Sequence, residues 1–392
     1  MITYTFKIKT TKSLELKFEE HLNITRYIYN LAKETKEYAY SKGVKLSKFD
    51  LCKQLPELKK EFTWIFNVNA NTLQSTIERL DKSYKKFFKD FKEGKISKLK
   101  QDYINKCLKN GTEINQKKLF EIGKPKWAKK KDWESIEFNQ GNTKRITPDL
   151  RFEKDGKFNL PKLGKVKIFK SREVYGNIKL ARVVKKVDGW YLQIVTDHEI
   201  QKCNNQAQVG IDVGITHFAV TSDGQFFENI KTTNKYAKKL ADAQRKLALK
   251  KRGSNNFYKE VEKVKKIYLK IQRVREDYLH KVSRELANNY QTVFVEDLDV
   301  SKMVQNKNYS KAISDVSWSK FAQYLEYKTE LIKIDAKYSS QECNNCGYVA
   351  KENRPNQETF KCVKCSHEGN ADFLASLTIL KRGQTLLENY DK

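Results

Sequence analysis

Four cysteines near the C-terminus restrict this chain more than any other feature. Cys343, Cys346, Cys362 and Cys365 are spaced C-x2-C-x15-C-x2-C, and each C-x2-C turns the backbone so that two thiolates face one point. Two such turns complete the four-ligand tetrahedron that zinc prefers. The polar residues between them cannot build a core, so an ion must hold the segment together. Structural zinc supplies on the order of 10–16 kcal/mol of apparent folding free energy in small modules. Sulfur takes all four positions and leaves none open for chemistry, so the expected role is structural. Cys52, Cys107 and Cys203 stand apart from this quartet. They read as small packed residues, a usage that suits a reducing cytoplasm.

The quartet leads into Asn370-Ala371-Asp372-Phe373-Leu374-Ala375-Ser376-Leu377-Thr378-Ile379-Leu380. Phe373, Leu377 and Leu380 fall at helical spacing, which places Asp372 in the first turn of an amphipathic helix. A carboxylate is electrostatically favoured there. An acid at a helix start is also ordinary, so Asp372 gains meaning only with partners.

The 78 Lys and Arg against 48 Asp and Glu leave a formal charge of +30 over 392 residues. A surface that positive binds polyanions, because each neutralised phosphate releases condensed counterions. Aromatic residues make up 12% of the chain, and rings among lysines suit base stacking beside phosphate contacts. The first residues lack the apolar core of a signal peptide, and no apolar run approaches the roughly 18 residues of a membrane span.

Residues 2–9 alternate as an amphipathic strand. From about Leu14 the period becomes helical, ending near Ser41-Lys42-Gly43. Leu73, Ile77, Leu80, Tyr84, Phe87 and Phe91 mark a second, stronger helix, with Lys82, Lys85, Lys86, Lys89 and Lys92 on its other face. That face suits solvation or phosphate contact equally. Residues 94–135 are lysine-dense and poorly patterned, and read as a loop or a connector facing nucleic acid. From 135 to 198 the chain returns to β, with Asp155-Gly156 and Asp188-Gly189 as hairpin signals. Together with strand 2–9 this suggests a small barrel into which the helices of 14–120 are inserted.

A polar linker at 201–208 precedes Val209-Gly210-Ile211-Asp212-Val213-Gly214. An Asp within an apolar strand is costly unless it is paired or binds a metal. The flanking glycines let a ligand or backbone approach closely. His217, at the start of the next strand, reads as structural. Residues 233–290 form two long helices about a turn at Arg252–Asn256. A further apolar strand, Val293-Phe294-Val295, delivers Glu296, whereas Asp297 and Asp299 suit caps or turns. A helix from Trp318 to Tyr327 and a strand from Leu331 to Ile334 lead to the cysteines.

Asp212, Glu296 and Asp372 thus end or interrupt apolar elements far apart in sequence, in the order in which an RNase H-type fold gathers its acids. Two carboxylates ~4 Å apart repel by ~4 kcal/mol at an effective dielectric near 20, so three together need cations. Oxygen ligands favour hard divalent ions, chiefly magnesium. A pair of such ions can activate water and stabilise the leaving oxygen of a phosphodiester.

Gly210-Ile211-Asp212-Val213-Gly214, Val295-Glu296-Asp297-Leu298, Tyr338-Ser339-Ser340-Gln341-Glu342-Cys343 and Asn370-Ala371-Asp372 together resemble the RuvC-plus-zinc-ribbon half of TnpB proteins. These are transposon-encoded RNA-guided nucleases related to the miniature type V CRISPR effectors. Leu279–Ser283 and Arg26–Asn30 are similar to the same family. Strong motifs cover about 205–380, while residues 1–200 match in architecture. The resemblance implies an α+β multidomain protein: a wedge-type β-barrel (1–13 and 125–204), a helical recognition insertion (14–124), an RNase H-like RuvC domain (205–337 and 368–392) and a zinc ribbon (338–367). It implies a guide RNA, a DNA target beside a short flanking motif, and sequence read by base pairing. On the same ground Asp212, Glu296 and Asp372 hold two catalytic magnesium ions. Leu374 and Thr378 stand where the family's last helix usually has asparagines, and Ser366 where glycine is common. Two other functions fit the residues: an RNA-guided DNA-binding repressor silent as a nuclease, or an RNA-independent nuclease of branched DNA. The oligomeric state is open.

Overall fold

A computed structural model describes residues 1–140, 149–305 and 310–390. The chain divides into two compact units, Met1–Glu199 and Ile200–Lys392.

The first unit opens with β1 (Ile2–Lys9), whose Tyr4, Phe6 and Ile8 are buried on one side. Helix α1 (Lys12–Ser41) begins at Thr11, whose hydroxyl accepts from the Leu14 amide. Then follow α2 (Lys48–Lys53), α3 (Leu55–Glu61), α4 (Ala70–Lys92), α5 (Lys95–Lys109) and α6 (Gln116–Glu121). Residues 94–135, expected as an irregular connector, instead contain α5 and α6. Lysine is a good helix former, but α5 buries only Ile96 and Cys107 among its fifteen residues, too few to print an apolar stripe. On α4 the exposed lysines are partly neutralised within the helix: Lys82 pairs with Glu78, Lys85 with Asp81 and Lys89 with Glu93.

Six strands complete the unit: β2 (Ser135–Asn139), β3 (Arg151–Phe152), β4 (Phe158–Leu160), β5 (Gly164–Ile168), β6 (Ile178–Lys186) and β7 (Gly189–Thr196). With β1 they form a sheet in the order β2-β6-β7-β1-β5-β4-β3. Asp188 sits in the β6–β7 turn, while Asp155-Gly156 lies within a longer loop between β3 and β4. Phe6, Phe138 and Leu192 from the sheet share one core with Phe18, Ile28 and Leu73 from the helices. The Trp133 indole donates to the Thr25 hydroxyl at 3.0 Å. Asn30 both donates to and accepts from the Ala128 backbone, which ties the end of the helical run to α1.

The second unit is built on β8 (Gln208–Asp212), β9 (His217–Thr221), β10 (Phe226–Glu228), α7 (Thr232–Lys235), α8 (Ala237–Ala248), α9 (Asn255–Asn289), β11 (Thr292–Glu296), α10 (Val300–Met303), α11 (Ser310–Val316), α12 (Trp318–Glu326), β12 (Glu330–Ile334), β13 (Thr359–Lys361), β14 (Glu368–Asn370) and α13 (Ala371–Tyr390). Its main sheet runs β10-β9-β8-β11-β12. The β8–β9–β10 portion is antiparallel, and β8, β11 and β12 are mutually parallel. A parallel segment is covered on both faces, which explains its unbroken apolar runs. Val209, Ile211, Val293 and Val295 face the layer containing Leu279 and Leu286 of α9 and Phe321 and Leu325 of α12. Alternate positions turn the other way, and Phe294, Ile332 and Ile334 pack with Ile379, Leu380 and Leu387 of α13. The final helix therefore owns one face of the sheet.

Candidate active site

Strand periodicity decides where the first two acids stand. Asp212 is two residues beyond Gly210 and Glu296 two beyond Phe294, so both acids share the face that α13 covers. The β8–β11 register aligns Gly210 with Phe294 and Ile211 with Val295. The same offset sets Asp212 beside Glu296 at the C-terminal ends of adjacent parallel strands, the edge where open α/β sheets bind ligands. Asp372 arrives from the first turn of α13. Its amide and that of Phe373 donate to the Asn370 side chain, at 3.1 and 3.0 Å, so the helix start is capped and the acid held.

Asp212 senses the other two acids. Burial, then the Glu296 charge, then the Asp372 charge push the Asp212 carboxyl up to about 8, against the opposing pull of Arg354. Glu296 is also raised, by burial, while a hydrogen bond from Ser339 and the charges of Arg382 and Arg354 act the other way. The Ser339 hydroxyl donates to Glu296 Oε1. Arg354 donates to Asp372 Oδ1 at 2.8 Å, and both side chains are largely buried, at 20% and 14% exposure. Glu296 and Asp372 thus each have a protein side-chain partner. Asp299 caps α10. His217 pairs with Glu228 at 3.2 Å at the start of β9, a structural contact.

The cysteines converge. Cys343 and Cys365 sulfurs lie 3.6 Å apart, as do those of Cys346 and Cys362. A tetrahedron of Zn–S bonds near 2.3 Å has edges of about 3.8 Å, so the quartet fits zinc without rearrangement. Among the described residues it is the group whose ligand atoms all lie within 4.8 Å of one another. Of the remaining cysteines, Cys107 is buried and Cys52 and Cys203 half-buried.

Three functional candidates escaped the sequence reading. Arg354 lies between the cysteine pairs, next to the fully buried Asn353, whose amide donates to the Gln341 and Tyr348 carbonyls and accepts from the Val363 amide. The fold of the cysteine module therefore sets the position of Arg354. Arg382 of α13 binds Glu342, at 2.9 Å from Nε, and the carbonyls of Asp335 and Lys337. Ser339 lies in a motif already noted, but nothing local marked it as the partner of Glu296.

The sheet edge bearing two of the acids, the third acid on its capped helix and the four-cysteine module lie in regions that match two families of transposon- and CRISPR-associated proteins. Residues 192–307 match the family OrfB_IS605, described as a probable transposase. Residues 318–379 match the Cas12f1-like TNB domain. The two matches, with the relatives below, support a protein of TnpB type related to Cas12f. It is 26% identical to the putative RNA-guided DNA endonuclease InsQ of Escherichia coli over 98% of this chain and 92% of that protein. Identity is 34% to a putative RNA-guided DNA endonuclease of Streptomyces pristinaespiralis, over 50% of each chain. It is 28% to the CRISPR-associated endodeoxyribonuclease Cas12f1 of Sulfoacidibacillus thermotolerans, over 48% of this chain and 49% of that one. Among the described residues no helix is long and apolar enough to cross a membrane.

Proposed function

We propose that this protein is an RNA-guided DNA endonuclease of RuvC type, with Asp212, Glu296 and Asp372 as its catalytic acids. The observation that carries the reading is the coupling of Asp212 to both other acids across elements 84 and 160 residues away. A buried Asp212 raised by its own desolvation and by the charges of Glu296 and Asp372 marks a site whose ionised state requires cations. Two magnesium ions held there would supply an activated water and a stabilised leaving oxygen for phosphodiester hydrolysis.

The chain's own residues do the rest. Asp212 and Glu296 present their oxygens side by side from rigid strands. Asp372 faces them from a helix capped by Asn370. Ser339 fixes the orientation of Glu296 through its hydroxyl. Arg354 pairs with Asp372 at 2.8 Å, and a guanidinium at that position suits a substrate phosphate. The cysteine module, a zinc ribbon on this reading, holds Arg354 in place. The first unit would be a wedge-type barrel with α1–α6 as the inserted recognition region, its basic surface taking guide RNA and target DNA.

The test is to sequence the nucleic acid that co-purifies with the full-length chain. A discrete RNA, programming cleavage of matching DNA only with a divalent cation, is the expected result. Cleavage without RNA would favour the branched-DNA nuclease. RNA-directed binding without cleavage would favour the repressor.

A further inference from the structure

The face of the sheet that carries the acids approaches α13 unusually closely, and two glycines make this possible. A Cβ built on Gly210 would lie 2.3 Å from the Ser376 carbonyl oxygen and 2.5 Å from the Leu380 amide nitrogen. Both are backbone atoms, so no side-chain rotation could relieve the clash. A Cβ on Gly383 would lie 2.1 Å from Cδ1 of the Phe294 ring, itself fully buried. The positions of these contacts are systematic. Gly210 precedes Asp212 by two residues on β8, and Phe294 precedes Glu296 by two residues on β11, so each contact lies one strand repeat behind an acid on the same face. Ser376 lies about one turn beyond Asp372 on α13, and Leu380 and Gly383 lie further along the same helix.

We infer that Gly210 and Gly383 are positioning residues that set how far Asp372 stands from Asp212 and Glu296, a role that rests on the nuclease reading above. Helix α13 is seated on β8 at Gly210 and on β11 at Phe294. Those two seats fix its height above the sheet and its rotation about its own axis. Ordinary contact begins near 3.4 Å, so a methyl group at either site requires a displacement of about 1 Å. Misplacement on that scale in an active site costs about 10²-fold in rate. The fold can accommodate such a shift, because α13 also packs through Ile379 and Leu387; the site cannot.

Four full-length proteins test this: Gly383→Ala, Gly383→Ala with Phe294→Leu, Gly210→Ala, and Gly210→Ala with Phe294→Leu. Zinc content and melting temperature report folding. Manganese binding to the RNA-free chain reports the acid cluster independently of catalysis, with Asp212→Asn marking which part of the binding belongs to the site. Gly383→Ala is expected to weaken manganese binding and magnesium-supported cleavage by at least ~10-fold, with guide-directed DNA binding and zinc content unchanged. The smaller side chain introduced by Phe294→Leu is expected to restore both in the Gly383→Ala background and neither in the Gly210→Ala background. Wild-type manganese affinity and cleavage in Gly383→Ala would overturn the inference, as would a loss that Phe294→Leu leaves unrestored. A wild-type chain that binds manganese at the acids yet cuts no DNA would defeat the nuclease reading alone, and the manganese series would still decide the role of the glycines.

Discussion

Asp212 holds its proton more tightly in the folded chain than in the unfolded one, its carboxyl standing at about 8 against an ordinary 3.8. Its contribution to metal-free stability is therefore complete below about pH 4 and declines as pH rises toward 8. Asp212→Asn removes that penalty. Thermal melts of the metal-free protein at pH 8 should show the variant several degrees more stable than wild type, while cleavage is lost. Equal melting temperatures at pH 8 would mean that the acid is not under strain. His21 gives the opposite slope. It is buried, its Nε2 has no hydrogen-bond partner among the described residues, and burial lowers its affinity for a proton from the ordinary 6.5. Stability from this residue is present above about pH 6.5 and falls as the solution is acidified. His21→Leu should flatten that acid limb in a pH series of melts. At this scale Asp212 and Glu296 were singled out because a charge within or at the end of an apolar strand is conspicuous, whereas Asp372, in the first turn of a helix, drew notice only beside them. The sequence did not expose Arg354, which lies in an aperiodic segment ordered by Asn353 rather than by any repeat.

The cysteine module shows how an element's sequence and its strain are linked. Ser366 adopts φ +57, in the left-handed region where a Cβ is unfavourable, and its amide donates to the Cys362 carbonyl at 2.9 Å. Glycine is the residue that takes this conformation without strain. Ser366→Gly should therefore stabilise the zinc-loaded module by up to about 1 kcal/mol, seen as slower zinc loss to a chelator. Faster loss would contradict the geometry. Cys343→Ser should do more, since Arg354 and Ser339 are both held by this segment. Loss of zinc by metal analysis should be accompanied by loss of cleavage. Strand and helix positions in the second unit followed closely from periodicity: β8 and β11 carry buried runs, and α13 carries apolar residues at helical spacing. α5 and α6 did not, because helices that bury two residues and none leave no pattern to read. Gly210 was visible as a place of close approach, but whether ligand or backbone filled it depended on α13, some 160 residues away.

At the level of the whole molecule, a charge of +30 supports a polyanion-binding protein without saying where the polyanion lies. The ion pairs along α4 show that part of the basic surface is already internally compensated. Guide-RNA binding should weaken steeply with salt, log K falling linearly with log salt concentration in a filter-binding series. A flat dependence would assign the charge to solubility. The convergence of three acids remains the central claim. Its most direct test is cleavage of DNA matching the bound RNA, measured across a magnesium titration for the wild type and for Asp212→Asn, Glu296→Gln and Asp372→Asn. Magnesium-dependent cutting by the wild type is expected, with a loss of about 10³-fold or more in each variant and DNA binding retained, in line with removal of a group that acts as part of a unit. Full cleavage by any one of the three variants would contradict that claim.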